Sequence, residues 1–223
     1  MIKTLFRDNG LTLVLLALFG LSVVGQAVAG LASENAELAG HGDPGLTLPA
    51  YLASGAFLSS LFENWESEFL QMWAFVMLTA YLFQRGSPES KDPDAPAPQD
   101  RDPALDARKA RAPLPVRLGG MARAVYSHSL GLALFLLFVV SFVLHLINSA
   151  RLAADDAQRH GEAIGGGLLA HVGGPEFWFE SFQNWQSEFL STAVLIVLAI
   201  FLRERGSPES KPVAAPHTAT GTD

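Results

Sequence analysis

The sequence predicts an all-α membrane protein with four transmembrane helices, arranged as two tandem parallel two-helix repeats with short extracytoplasmic helices. Two observations lead to this fold. Four long apolar runs occur in a chain in which only 17% of the residues are charged. In addition, two sequence motifs recur about 120 residues apart, and each pair of motifs brackets an apolar run. The repeated unit is therefore a membrane unit.

The duplication is the most specific pattern in the chain. Residues 64–70 return as 184–190 with one change, and we call this the NWxSEFL motif. Residues 85–91 return letter for letter as 205–211, and we call this the RGSPESK loop. The arginine, glycine and proline of each loop are typical of a helix C-terminus, because they complement the dipole, allow a left-handed cap and prevent continuation.

The four apolar runs differ in length. Runs 11–31 and 130–147 each approach the roughly 20 residues that cross a bilayer. Runs 69–83 and 189–202 reach that length only if the NWxSEFL motif forms part of the helix, with its tryptophan at the headgroup level. The first run also has the charge and small-residue pattern of a signal peptide. Its match to the internal third run favours a retained helix.

Basic residues set the expected orientation. All lysine and arginine residues except Arg151 and Arg159 lie on one side of the predicted spans. The positive-inside rule places that side in the cytoplasm, so both termini are expected there. We therefore expect a multi-pass membrane protein with both ends on the cytoplasmic side.

The same patterns predict the domain organisation. Residues 1–91 form the first two-helix membrane repeat and 124–211 form the second. Between them, residues 92–123 are rich in proline, aspartate and alanine, which is typical of a flexible cytoplasmic linker. Residues 212–223 are expected to form a disordered tail.

The NWxSEFL motif supplies the first candidate site. Asn64 and Glu68 are four residues apart and share one helix face, as do Asn184 and Glu188. Ionisable groups at membrane depth are costly and often functional, so a shared polar cluster that takes up protons or a cation is one interpretation. The alternative, which we favour, is that the carboxylates lie outside the hydrocarbon and stabilise helix N-termini.

Gln26 and His145 form a second corresponding pair, 119 residues apart. Each lies about 15 residues into its apolar helix, toward the outer leaflet. His145 together with Glu188 would make a pair that titrates near neutral pH. The simpler interpretation is an interhelical hydrogen bond.

A third pair combines a histidine and a carboxylate in each half. His41 and Asp43 correspond to His160 and Glu162. They are weak candidates for a divalent cation, because a histidine–glycine sequence after a helix is also an ordinary helix end. We therefore predict no metal site.

Several classes of function lack support in the sequence. The chain has no cysteine, P-loop, nucleophile elbow, zinc-protease motif or dinucleotide fingerprint. We expect no catalytic residues and no cofactor. Nucleic acid is not an expected partner, because the basic residues are scattered through a linker that is also rich in aspartate.

The NWxSEFL motif, the RGSPESK loops and the helix–His-Gly–helix repeat resemble a family of uncharacterised bacterial integral membrane proteins defined by a domain of unknown function. This resemblance covers nearly the whole chain outside the linker and tail. It implies a bacterial inner-membrane location and supplies no activity or site.

The function expected from the sequence is that of a non-enzymatic structural or interaction component of the membrane. Its partners are the lipid bilayer and either a second copy or another membrane protein. The alternative is a small oligomeric transporter or channel for protons or small ions.

Overall fold

The computed structural model describes residues 2–161 and 167–221, and all regular secondary structure in this part of the chain is helical. Two 3₁₀ turns, Pro98–Asp100 and Pro103–Asp106, accompany the α-helices. The α-helices are α1 Ile2–His41, α2 Leu48–Leu52, α3 Gly55–Tyr81, α4 Leu114–Leu118, α5 Gly120–Ser127, α6 Ser129–Arg159, α7 Gly167–Gly173 and α8 Pro175–Phe201.

Three of the described helices are long and apolar enough to cross a membrane: α1, α6 and α8. The sequence predicts a fourth span at α3, which is 27 residues long like α8 but does not meet the same criterion. The reason is that the stretch after the motif is less apolar in α3, where Gln71, Trp73 and Tyr81 correspond to Ser191, Ala193 and Phe201 of α8. The all-helical class is confirmed, and the count of four spans stays a prediction.

The helix boundaries follow the duplication. Helices α3 and α8 begin 120 residues apart and end 120 residues apart. Helix α1 is interrupted at Asn9, where φ is −136° and ψ is 16°. At an offset of 119 residues, His128 separates α5 from α6 with φ of −119° and ψ of 11°. The apolar part of α1 and the helix α6 are thus each preceded by a short helical segment and one non-helical residue.

The chain divides into two compact units. The first contains Met1–Phe62 and Leu144–Gly173. The second contains Glu63–Val143 and Gly174–Asp223.

The first unit packs its core around Tyr51, which is 5% exposed and lies with Phe57 and Ala27. Tyr51 lies directly over Gly30, where a Cβ atom would come within 2.0 Å of the tyrosine hydroxyl oxygen. In the second half, His171 Nε2 lies 2.9 Å from Ser149 Oγ and forms a hydrogen bond at the corresponding place. A ring from each short helix therefore reaches the long helix before it.

Gly55 brings the start of α3 against α6 in the same unit. A Cβ atom at this position would lie 2.8 Å from the amide nitrogen of Leu152 and 3.0 Å from the carbonyl oxygen of Asn148. Only a residue without a side chain allows this backbone-to-backbone approach.

The two RGSPESK loops have the same internal hydrogen bonds. Gly86 and Gly206 have φ of +84° and +91°, but α3 already ends at Tyr81 and α8 at Phe201, where Leu202 is extended. The predicted helix caps at these glycines are therefore wrong, because the left-handed residues belong to turns beyond the helix ends. Ser90 Oγ accepts a hydrogen bond from the amide of Gln84 at 2.8 Å, and Ser210 Oγ accepts one from the amide of Glu204 at 2.9 Å. Each serine closes a turn, over residues 84–90 in the first loop and 204–210 in the second. This shared hydrogen bond explains why the two loops keep the same sequence.

The linker and the tail both contain local structure. The linker contains both 3₁₀ turns, all of α4 and the first half of α5. Beyond it, Lys211 is 1% exposed and its Nζ donates to the carbonyl oxygens of Pro216, His217 and Ala219. The described tail residues therefore surround a buried ammonium group, and the disorder of residues 212–223 stays a prediction.

Candidate functional site

Polar side chains of α3 and α8 meet within the second unit. Glu63 accepts a hydrogen bond from Asn184 Nδ2. Further along, Gln71 Nε2 donates to Thr192 Oγ1 at 2.7 Å. Because the partners follow one another in the same order along both helices, α3 and α8 run parallel at these contacts.

Between these two contacts lies the most buried acidic side chain of the motif. Glu66 is 0% exposed, and its Oε1 accepts a hydrogen bond from Trp185 Nε1 at 2.8 Å. A buried carboxylate is stable only with hydrogen-bond partners, so this contact contributes to the pairing of the helices. Trp185 is the tryptophan of the second NWxSEFL motif, and its ring also packs against Phe182 and Trp178.

The residues that the sequence singles out in this motif have different positions. Glu68 and Asn64 are exposed, and Glu188 is half-buried. The charge of Glu68 acts on Glu188, so these two corresponding carboxylates are electrostatic neighbours. Asn184 makes the bond to Glu63 described above, and it also donates to the Glu180 carbonyl oxygen at 3.2 Å.

A cleft of about 320 Å³ lies between α3 and α8 on the C-terminal side of these contacts. Gln71 and Thr192 line one part of it, and Ser87 and Glu89 of the first RGSPESK loop line another. The remaining lining is mostly apolar: Ala74, Phe75, Leu78, Leu82, Phe83, Phe189, Ala193 and Ile196.

Two corresponding glutamates meet where the RGSPESK loops come together. Glu89 and Glu209 are joined by a side-chain hydrogen bond. Burial, this hydrogen bond and the negative charge of Glu209 raise the pKa of Glu89 from an ordinary 4.5 to about 7. The protonated carboxyl of Glu89 therefore links the two loops by its hydrogen bond to Glu209.

In the first unit, Gln26 and His145 are both placed on long helices. Gln26 Nε2 donates to Ser60 Oγ of α3 at 2.8 Å, which is an interhelical hydrogen bond. His145 is 0% exposed on α6. The two corresponding side chains therefore lie in different local environments.

His41 and His160 come together in the first unit, with ring centroids 5.6 Å apart at an angle of 84°. Nδ1 of each ring bonds a carbonyl oxygen four residues back, that of Glu37 at 3.0 Å and that of Asp156 at 2.9 Å. These bonds cap the ends of α1 and α6, as an ordinary helix end requires.

The weak cation candidates can be placed only in part. Asp43 lines an open cleft together with His41, and Glu162 lies outside the described residues. Within 2–161 and 167–221, no three histidine, aspartate or glutamate side chains are grouped closely enough to hold a metal ion.

The family described as a domain of unknown function, DUF6766, matches residues 2–222. The chain belongs to this family. No curated protein and no solved structure matches the chain. Membership of the DUF6766 family supports the resemblance seen in the sequence. The family description gives no activity.

Of the side chains that join α3 to α8, sequence reasoning selected Asn184 and missed Glu63, Glu66, Gln71, Trp185 and Thr192. It selected Glu68 because that position stays acidic in both copies, but Glu63, Glu66 and Gln71 make the bonds to the other helix. A comparison of the two copies of the motif does distinguish two of these positions. Positions 63 and 66 change from glutamate to glutamine in the second copy, as expected where two halves face each other with different partners.

Proposed function

We propose that the chain is an integral membrane protein that serves as a structural or interaction component of a bacterial inner membrane, without enzymatic activity. The four long helices α1, α3, α6 and α8 cross the bilayer in this proposal, and both termini lie in the cytoplasm. Its protein partner is a second copy or another membrane protein.

The observation that carries the proposal is the use of polar groups on α3. Glu63, Glu66 and Gln71 are each bonded to a side chain of α8, so these polar groups contribute to the packing of the two helices. The best membrane windows of α1, α6 and α8 are only 6%, 22% and 6% buried. Apolar surface of this extent requires lipid or a protein neighbour.

The repeat supports the proposed topology. Parallel α3 and α8 are what two repeats of the same orientation produce, because each repeat would place its second helix in the same direction. The matched boundaries of α3 and α8 agree with this arrangement. With α3 counted as a span, the chain crosses an even number of times and returns to its starting side.

Cysteine crosslinking in native membranes tests the interaction role, because the chain contains no cysteine. Single variants Leu18→Cys, Leu132→Cys and Val197→Cys place a thiol on exposed positions of α1, α6 and α8. We expect one helix face to crosslink to protein and the others to face lipid. If none of the three gives a protein crosslink, the interaction role is wrong.

A proton or small-ion channel is the second candidate function. It is favoured by the neighbouring carboxylates Glu68 and Glu188 and by the cleft that extends from Gln71 and Thr192 to Glu89. A polar group at each end of an apolar cleft is an arrangement that ion pathways use.

Proton flux into dye-loaded proteoliposomes separates the two functions. A structural role predicts the same proton leak as vesicles without protein. A channel predicts a larger leak that the double variant E68Q/E188Q abolishes and the control E204Q retains, because Glu204 is exposed beyond the end of α8.

A further inference from the structure

Residues 107–128 carry a strong local charge. The whole chain has a formal net charge of −7, yet this segment contains no aspartate or glutamate. Its basic residues are Arg108, Lys109, Arg111, Arg117 and Arg123. The segment is therefore the most cationic part of an acidic protein, and it lies directly before the candidate span α6.

Apolar side chains on α4 and α5 are exposed in the same segment. Leu114 and Leu118 are 64% and 68% exposed, and they lie four residues apart on α4. Met121 and Val125 are 83% and 53% exposed, and they lie four residues apart on α5. Residues with this spacing share a helix face, so each short helix presents an apolar surface. Val116, by contrast, is buried.

The arginines beside these surfaces have no carboxylate partner. In the part of the chain that the structure describes, the linker carboxylates Asp94, Asp100 and Asp106 form its ion pairs, with Arg85, with Lys91, and with both Arg101 and Lys109. None includes Arg108, Arg111, Arg117 or Arg123. Of these four, only Arg123 is half-buried, and the others are exposed.

The short connection between α5 and α6 determines how far the segment can lie from the membrane. Only His128 separates the end of α5 from the start of α6. A helix joined this closely to a span lies at the membrane surface. The first span has a similar approach, with Lys3 and Arg7 in the sequence and exposed Leu5 and Phe6 before the break at Asn9.

We propose that residues 107–128 dock onto the anionic phospholipid surface of the membrane that α6 enters. Leu114, Leu118, Met121 and Val125 insert among the acyl chains, and the unpaired arginines bind lipid phosphates. The occupant is a lipid leaflet because charge and apolar surface occur together in a segment continuous with a span. This inference rests on the proposed membrane location.

The test uses the full chain, purified and reconstituted. Met121→Cys carries an environment-sensitive fluorophore, and Leu105→Cys serves as the matched control, since Leu105 is also exposed but lies in the acidic part of the linker. The vesicles contain phosphatidylcholine alone or phosphatidylcholine mixed with anionic phosphatidylglycerol. We expect a blue shift of the label at position 121 only in the anionic vesicles, reversed by high salt but not by equimolar inorganic phosphate.

Charge variants measure the contribution of the arginines. Each arginine that binds the surface strengthens partition roughly fivefold, so R117Q/R123Q weakens docking by more than tenfold. R101Q removes a charge that is paired with Asp106 and lies outside the segment, so it leaves docking unchanged.

Three outcomes overturn the inference. The label gives the same emission in both kinds of vesicle, or R101Q acts as strongly as R117Q/R123Q, or the blue shift depends on protein density and reports a second copy. Flotation of the chain with the vesicles is scored separately. Failure to float contradicts the proposed membrane location, whereas flotation without a response of the label contradicts only the docking.

Discussion

At the scale of single residues, the bond between Trp185 and Glu66 carries the clearest prediction. Trp185→Phe keeps the aromatic packing but removes the indole N–H that bonds the buried carboxylate. We expect a loss of about 1–3 kcal/mol in unfolding free energy, the usual cost of leaving a buried hydrogen-bonding group without its partner. Thermal or denaturant unfolding in mild detergent measures it.

Glu66→Gln is the matched variant for this bond. Glutamine retains an acceptor oxygen for the indole, so its cost should be clearly smaller than that of Trp185→Phe. Equal stability of Trp185→Phe and the wild-type protein would mean that the bond contributes nothing to the pairing of α3 and α8.

The carboxyl pair predicts a pH dependence of stability. The pKa of Glu89 is about 7 in the folded protein and ordinarily 4.5. Between these values the folded chain holds a proton that the unfolded chain has released, so stability falls as pH rises from about 4.5 to about 7. Glu89→Gln should flatten this fall, because the amide donates to Glu209 at every pH.

Unfolding temperatures at pH 5, 6, 7 and 8 measure this effect. Glu204→Gln is the control, since it removes an exposed glutamate just before the second RGSPESK loop. An unchanged slope in Glu89→Gln, or an equal flattening in Glu204→Gln, would assign the pH dependence to other groups.

At the scale of elements, Gly55 determines how closely α3 can approach α6. Gly55→Ala places a Cβ atom 2.8 Å from the Leu152 amide nitrogen, and this backbone atom cannot turn aside as a side chain can. We expect α3 and α6 to separate locally in the first unit at a cost of about 1–3 kcal/mol. The melting temperature of the purified protein reports it.

Gly25→Ala is the matched substitution in a helix interior. No atom lies within 4 Å of its Cβ position, so alanine should be neutral or stabilising by up to about 1 kcal/mol through helix propensity. If both alanine variants behave alike, close approach at Gly55 is not what limits the packing.

At the scale of the whole molecule, the number of spans has a direct test. Compartment reporters fused after Lys91 and near Gly42 should report opposite sides of the membrane if α3 crosses it. A reporter after Ser210 should agree with the one after Lys91. Agreement between the Lys91 and Gly42 reporters would leave α3 outside the bilayer.

Much of the helical architecture could be predicted from the sequence, because apolar length, glycine caps and the repeat are local or periodic signals. The matched ends of α3 and α8 and the left-handed glycines Gly42 and Gly161 after α1 and α6 are of this kind. The partner of Glu66 could not be predicted, since no local pattern shows which side chain across the bundle meets it. The fold of the tail depends on three backbone carbonyl groups around Lys211. Every residue type has a backbone carbonyl, so the sequence does not show which three bind the ammonium group.

The parallel pairing of α3 with α8 has a consequence for how such a chain can originate and diverge. Glu63 and Glu66 of α3 bond Asn184 and Trp185 of α8, whereas their own counterparts Gln183 and Gln186 are exposed. The two copies of the motif therefore have different roles in one contact. Covalent fusion permits this asymmetry, because only a fused chain can change one half without changing the other.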